Sequence, residues 1–207
     1  LWLCGAVKCT GAGGGRPDGR NIRTHSSVLS ISGRGRSMKR LTEHLFLIGF
    51  MGVGKTSTSR SLSRKLGTPE LDTDAVIVEE EGRSVQDIFA REGEDYFRRK
   101  ETDLLEALVG EEPSIISCGG GMVMRSENIQ KMKTLGKILF LIASPETIYS
   151  HVKDSTNRPL LNGNMNVEYI RELMESRAPR YQAAADLTVV TDNLLPWQVA
   201  DKIIELL

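Results

Sequence analysis

The chain has 207 residues, 40% of them hydrophobic, which suffices for one ordinary domain with a single core and calls for no second. Its 27 basic and 27 acidic residues balance, but residues 1–40 hold eight Lys/Arg against one Asp. The remainder is left at about −7, a poor match for a nucleic-acid backbone. The longest apolar runs, such as Ile138 to Ala143, are about six residues against the roughly 20 that cross a bilayer. Three scattered cysteines, Cys4, Cys9 and Cys118, lack metal-ligand spacing and suit a reducing cytosol better than a disulfide framework.

Residues 1–40, with Gly-Ala-Gly-Gly-Gly at 11–15 and Gly-Arg-Gly-Arg at 33–36, have no apolar periodicity. They are expected to be disordered, because they cannot bury enough surface to offset their ordering entropy. The stretch is basic, Ser-containing and nearly free of acid, as an organelle transit peptide is. Against that reading, the chain does not open with Met, and Met38 stands just before the first strand, as a start codon would. The favoured expectation is a cytoplasmic bacterial protein carrying translated upstream sequence or a leftover extension, with plastid targeting as the alternative.

From Leu45 onward, short β-like apolar runs alternate with helix-length amphipathic stretches, which predicts a parallel sheet covered by helices in a domain over 41–207. The expected strands are 44–48, 68–72, 114–118, 137–142 and 187–190. Directly after the first comes Gly49-Phe50-Met51-Gly52-Val53-Gly54-Lys55-Thr56, which matches the phosphate-binding pattern G-x-x-x-x-G-K-[ST]. Gly49, Gly52 and Gly54 allow the backbone around Val53 to turn its N–H groups inward around a polyphosphate, and the helix from Ser57 to Leu66 adds its positive N-terminal end. Lys55 reaches the outer phosphates and the Thr56 hydroxyl is placed for Mg²⁺, so the loop predicts a nucleoside triphosphate with its metal.

Leu71-Asp72-Thr73-Asp74 ends the second expected strand, where a two-residue separation on extended chain would send both carboxylates into the crevice beside the phosphate loop. Phosphoryl transfer needs one carboxylate for the metal shell and another to orient or deprotonate the attacking hydroxyl, roles that Asp72 and Asp74 could divide. The plainer reading is that Asp74 caps the helix beginning Ala75-Val76-Ile77. Ser84-Val85-Gln86-Asp87 reads as a helix start. In the helix from Glu94 to Leu108, Arg98 and Glu101 share a face, by default as a solvated ion pair. Ile115-Ile116-Ser117-Cys118 runs into Gly119-Gly120-Gly121 with no Asp after the apolar run, so the metal-side carboxylate must come from elsewhere, which supports Asp72. The glycines suggest close backbone approach to a small ligand, and Cys118 a small buried residue.

Residues 153–166 are polar, hold Pro and Gly, and are long enough for a lid carrying Arg158-Pro159-Leu160-Leu161. Arg177-Ala178-Pro179-Arg180-Tyr181 follows on the next helix, and arginines of this kind grip carboxylate or phosphate through two parallel hydrogen bonds. His25 and His44 read as incidental, and Trp197 and Val199 as core of a C-terminal amphipathic helix.

Taken together, the phosphate loop, Asp72-Thr73-Asp74, Phe97-Arg98 with Glu101, Gly119-Gly120-Gly121, Arg158-Pro159-Leu160-Leu161 and Arg177-Ala178-Pro179-Arg180-Tyr181 resemble the shikimate kinase family over about residues 43–207. The resemblance implies an α/β fold of three layers, the P-loop kinase fold, with a central five-stranded parallel sheet flanked by helices. It implies transfer of phosphate from ATP, with Mg²⁺, to the 3-hydroxyl of shikimate in aromatic amino-acid biosynthesis. Carried over by position, Gly49 to Thr56 bind ATP, Thr56 ligates the metal and Asp72 holds a metal-bound water. Asp74 binds the shikimate hydroxyls and is the candidate base. Arg98 and Arg177 hold the carboxylate, Glu101 supports that pocket, the Gly119 to Gly121 turn offers backbone contact, and Arg158 closes onto the phosphates. One position departs: where relatives often stack an Arg on the adenine, this chain offers His151 and Lys153. The expected partners are ATP and shikimate, bound by a monomer, with no nucleic acid and no membrane. The rival readings are another small-molecule kinase, such as one for gluconate, and a catalytically silent nucleotide-binding module.

Overall fold

The computed structural model describes residues 40–153 and 166–207. Residues 1–39, the interior of the expected lid and Arg158 lie outside the described residues.

Strand β1 (His44–Ile48) feeds the phosphate loop and then helix α1 (Lys55–Leu66). Strand β2 (Glu70–Asp72) runs straight into α2 (Thr73–Glu81), followed by α3 (Val85–Glu92) and α4 (Glu94–Ala107). Strand β3 (Ile115–Ser117) leads through the glycine turn and a 3₁₀ turn at Met122–Met124 to α5 (Ser126–Leu135). Then come β4 (Gly136–Ile142), α6 (Pro145–Val152), α7 (Val167–Ala184), β5 (Leu187–Val190) and α8 (Pro196–Leu206). The five strands form one parallel sheet in the order β2-β3-β1-β4-β5, which requires each connection to cross a face of the sheet. The α/β architecture expected from the alternation is present.

Burial follows from that order. Every residue of central β1 is buried, whereas β5, at an edge, alternates and leaves Val190 exposed. Successive β1 side chains go to opposite faces. Leu45 and Leu47 pack with Leu62 and Leu66 of α1 and with Val199, Ala200 and Ile203 of α8. Phe46 and Ile48 pack with Leu105 of α4, Met132 of α5 and Tyr181 of α7. A small third cluster, Ile77, Ile88 and Phe97, ties α2, α3 and α4 together beside the sheet.

Several expected boundaries shift. Strand β2 begins at Glu70 rather than at 68, because Gly67 caps α1 in the left-handed region at φ 61° and Pro69 cannot donate to a ladder. Helix α1 starts at Lys55, two residues before expectation, and α4 ends at Ala107, one residue short of it. Asp74 does not lie on extended chain, nor does it cap: Asp72 is the N-cap of α2, accepting from the Asp74 and Ala75 N–H groups, and Asp74 sits in the first helical turn. Trp197 is not core, being 52% exposed with the Lys65 ammonium 5.8 Å from its ring, while Val199 is buried.

Candidate active site

The phosphate loop is shaped by its last glycine. Gly54 is the N-cap of α1 at φ 95°, where a side chain would be strained although a Cβ there would meet nothing within 4 Å. It offers no side-chain cap, and the first turn of α1 holds no acid, so the orphan N–H groups are left for an anion. The Lys55 ammonium donates to the Gly49 and Phe50 carbonyls at 2.8 and 3.1 Å, which holds it on the loop. A crevice of about 520 Å³ opens here, lined by the loop, Asp72, Asp74, Gly119, Gly120 and Pro196 among others. His151 also lines it, with Nδ1 2.8 Å from the Gly52 carbonyl.

At the floor of the crevice three oxygens converge. The Thr56 hydroxyl donates to Asp72 Oδ2 at 2.7 Å, Ser117 Oγ donates to the same oxygen at 3.0 Å, and the two hydroxyls stand 3.2 Å apart. Oδ1 of Asp72 meanwhile accepts from the Asp74 and Ala75 N–H groups at 3.2 and 3.3 Å, so one carboxylate caps α2 and faces the loop at once. Among the described residues no group of three or more His, Cys, Asp or Glu could hold a metal. The donor set that is present, one carboxylate with hydroxyls, suits Mg²⁺, which keeps several waters and shares phosphate oxygens rather than taking an all-protein cage.

Beyond the carboxyl end of β3 lies a second group. Arg98 and Glu101 are 7% and 0% exposed, so they are not the solvated pair that spacing alone suggests. Arg98 Nη1 donates to Glu101 Oε2 at 2.8 Å, and its Nη2 and Nε donate to Glu94 Oε1 at 2.7 and 3.2 Å. Burial pushes Glu101 up to about 7, Arg98 opposing the rise and Asp74 adding to it. For Arg98 burial works against the charge, but Glu101 and Glu94 outweigh it and hold its pKa above the ordinary arginine value. The other Glu101 oxygen, Oε1, is buried with no hydrogen-bond partner. Next to it is Gly119, where a Cβ would run into Asp74 Oδ1 and come 2.9 Å from Glu101 Oε1; a Cβ at Gly121 would strike the Arg98 guanidinium. Charged side-chain ends thus approach closely at Gly119 and Gly121, whereas a Cβ at Gly120 would meet nothing nearer than 3.7 Å.

The turn is held from three sides. Gly119 N–H donates to Thr73 Oγ1 at 2.8 Å, and the Tyr181 hydroxyl donates to the Gly120 carbonyl at 2.5 Å. Asn128 Nδ2 holds the Met122 carbonyl at 3.1 Å while its Oδ1 accepts from Thr102 one turn beyond Arg98. Half-buried Arg177 lies one helical turn before Tyr181, whose pKa burial pushes up to about 12 while the nearby Arg177 charge opposes the rise. Arg177 thus stands beside the tyrosine that holds the Gly120 carbonyl.

The structure places Lys55, Thr56, Asp72 and Asp74 around one crevice and Arg98, Glu101, Gly119 and Gly121 at its flank. Sequence reasoning missed Ser117 and Thr73. The register pairing Asp72 with Ser117 across β2 and β3 is the signal for the first, and it requires knowing the strand order. Cys118 is buried as expected, and His44 is structural, with Nδ1 accepting from Ser114 N–H at 3.1 Å.

A family model described as shikimate kinase matches residues 51–207. A shikimate kinase of Dehalococcoides mccartyi is 42% identical over 164 residues, covering 79% of this chain and 93% of that protein. One of Thermodesulfovibrio yellowstonii is 39% identical, covering 79% and 94%. Among solved structures, the shikimate kinase of Acinetobacter baumannii in complex with shikimate aligns with a TM-score of 0.75 at 32% identity, covering 79% of this chain and 92% of that one. The Aquifex aeolicus shikimate kinase aligns with a TM-score of 0.67 at 35% identity, covering 78% and 94%. A gluconokinase of Sinorhizobium meliloti shares the fold alone, with a TM-score of 0.52 at 16% identity. With its phosphate loop, carboxylate-lined crevice and buried arginine flank arranged on this sheet, the chain belongs to the shikimate kinase family.

Proposed function

We propose that the chain transfers the γ-phosphoryl group of ATP to the 3-hydroxyl of shikimate, releasing ADP and shikimate 3-phosphate. The observation that carries this reading is the buried Arg98–Glu101 pair beside Asp74, a cation fixed for a carboxylate ligand within reach of the phosphate loop. In the reaction the bond from the γ-phosphorus to the ADP oxygen breaks and one to the acceptor oxygen forms, while the hydroxyl proton passes to the Asp74 carboxylate. Arg98 and Arg177 hold the acceptor carboxylate at the other end. The loop N–H groups and Lys55 hold the transferring phosphates, with Arg158 added from the lid. Thr56 and, through water, Asp72 would hold Mg²⁺, which supplies charge neutralisation on the phosphate oxygens.

Among the described residues no helix is long and apolar enough to cross a membrane. A monomer acting in the cytoplasm is the accompanying reading; the relatives that the chain covers over most of their length are bacterial enzymes. The test is a coupled ADP-release assay with shikimate, gluconate or no acceptor, and Lys55→Ala as background. Turnover with shikimate alone, lost in Lys55→Ala, is expected. Equal release with no acceptor would sink the kinase reading, and a preference for gluconate would redirect it.

A further inference from the structure

Helix α2 carries Asp74 in its first turn and Glu81 as its last residue, seven positions on. In a helix, residues at i, i+3 and i+7 share one face, so Asp74, Ile77 and Glu81 form a single stripe spanning about 10 Å. All three meet α4. Asp74 and Glu101 flank the same point at Gly119, Ile77 packs in one cluster with Phe97, and Glu81 receives Tyr96 and Lys100. Along α2 the contacts with α4 thus run from Asp74, beside the chemistry, to Glu81 at the last residue of the helix.

The Glu81 side chain is 10% exposed, and its two oxygens divide their work. Oε1 accepts from the Tyr96 hydroxyl at 2.8 Å and from Lys100 at 3.0 Å, both on α4. Oε2 takes Arg83 at 2.5 Å, whose Nη1 donates to Glu92 at the end of α3 at 3.1 Å. One carboxylate thus joins the ends of α2 and α3 to α4. Hydrogen bonds from Arg83, Lys100 and Tyr96 lower its pKa to about 2, so it stays charged at every ordinary pH. Little else restrains α2: its buried residues are Thr73, which holds Gly119, and Ile77. A nine-residue helix with one buried aliphatic side chain can slide or tilt unless both ends are pinned. Asp72 and Thr73 pin the first end, and Glu81 pins the second.

We propose that Glu81 is a positioning residue for the acceptor: by clamping the far end of α2 to Tyr96 and Lys100 it sets the spacing between Asp74 and the Arg98–Glu101 pair. Residues 96 and 100 lie on the same helix as Arg98, so a shift of α2 on α4 changes the distance between the group at the reacting hydroxyl and the group at the carboxylate. The phosphate loop is carried by β1 and α1 and meets α2 through Asp72, at the end of the helix opposite Glu81. This inference rests on the shikimate reading, and its test separates the two.

Steady-state constants for both substrates are measured on the full chain, on Glu81→Gln, which keeps the shape and removes the charge, and on Glu81→Lys with and without Lys100→Glu. Glu81→Gln is expected to raise KM for shikimate about tenfold while KM for ATP stays within about twofold. Glu81→Lys should be worse, and adding Lys100→Glu should recover most of the loss. Hydrogen exchange of the α2 amides should quicken in Glu81→Gln while β1 and α1 hold. An unchanged shikimate KM, or equal rises for both substrates, would overturn the clamp. If the wild-type chain showed no shikimate turnover, the function reading would fail by itself, and unchanged α2 exchange in Glu81→Gln would then overturn the clamp independently.

Discussion

Arg98 Nη1 and Glu101 Oε2 meet at 2.8 Å with both side chains buried, one helical turn apart on α4, and the guanidinium is also held by Glu94. A guanidinium so fixed has lost its rotamer freedom before any ligand arrives, which is what makes it an anchor for a planar anion. A pair of this kind is weak evidence for stability, since desolvation consumes much of its attraction. Its worth is in presenting a cation at a set place.

Arg98→Ala should therefore cost roughly 2–5 kcal/mol in acceptor binding, seen as a raised KM for shikimate, with ATP affinity barely changed. The decisive comparison uses an acceptor analogue lacking the carboxylate. Wild type should handle it poorly and Arg98→Ala no worse than wild type does. An equal penalty on both acceptors would remove Arg98 from the carboxylate.

Ser117 gives a second prediction. It supplies one of two hydroxyl donors to Asp72 Oδ2, the other being Thr56. Removing it leaves that oxygen less restrained, so Ser117→Ala should raise the Mg²⁺ concentration for half-maximal rate several-fold and leave the shikimate KM unchanged. The reverse pattern would place Ser117 on the acceptor side.

Most of this site is legible in the amino-acid sequence because its parts are local. A loop that turns on Gly54 and opens a helix is encoded within eight residues, and β1 and β5 are bounded by apolar runs that end where the strands end. The features that escape a linear reading depend on pairing between distant segments. Burial of Arg98 with Glu101 is set by the glycine turn lying over them, more than fifteen residues away, so their spacing predicts only a surface pair. Asp72 is legible as a candidate metal-side carboxylate but not as a helix cap, because strand β2 passes into α2 with no intervening turn. Trp197 reads as core because its helix is amphipathic, yet it stands on the rim of the buried face. The Glu81 cluster carries no motif at all and exists only once α2 and α4 are packed.

The glycine turn yields a third prediction. At Gly119 an added methyl would run into Asp74 Oδ1 and press on Glu101 Oε1, neither of which can move far, one being fixed in the first turn of α2 and the other wholly buried. Gly119→Ala should lower kcat at least tenfold and raise the shikimate KM, while titration with a fluorescent ATP analogue shows normal affinity. Loss of nucleotide binding instead would mean that the turn serves the phosphate loop rather than the acceptor.

The last prediction concerns pH. Burial raises Glu101 from 4.5 to about 7, so the folded protein holds a proton that the unfolded chain releases. For a group raised in this way the stabilising contribution is complete below 4.5 and is lost as pH climbs through about 7. The carboxylates that are lowered, Glu81, Asp87 and Asp192, act in the opposite sense and in a different window, their contributions being lost as pH falls below the ordinary carboxylate range. Between pH 4.5 and 7 the slope should therefore reflect Glu101, with a magnitude on the order of 3 kcal/mol at 1.36 kcal/mol per unit. Glu101→Gln is neutral at every pH and keeps a carbonyl for Arg98 Nη1, so it should remove that slope without removing the contact. Urea unfolding of both proteins at pH 5 and pH 8 measures this directly: wild type should lose stability relative to Glu101→Gln on going to pH 8. Parallel changes in the two would show that Glu101 is ionised throughout the range and that Arg98, not burial, governs its charge.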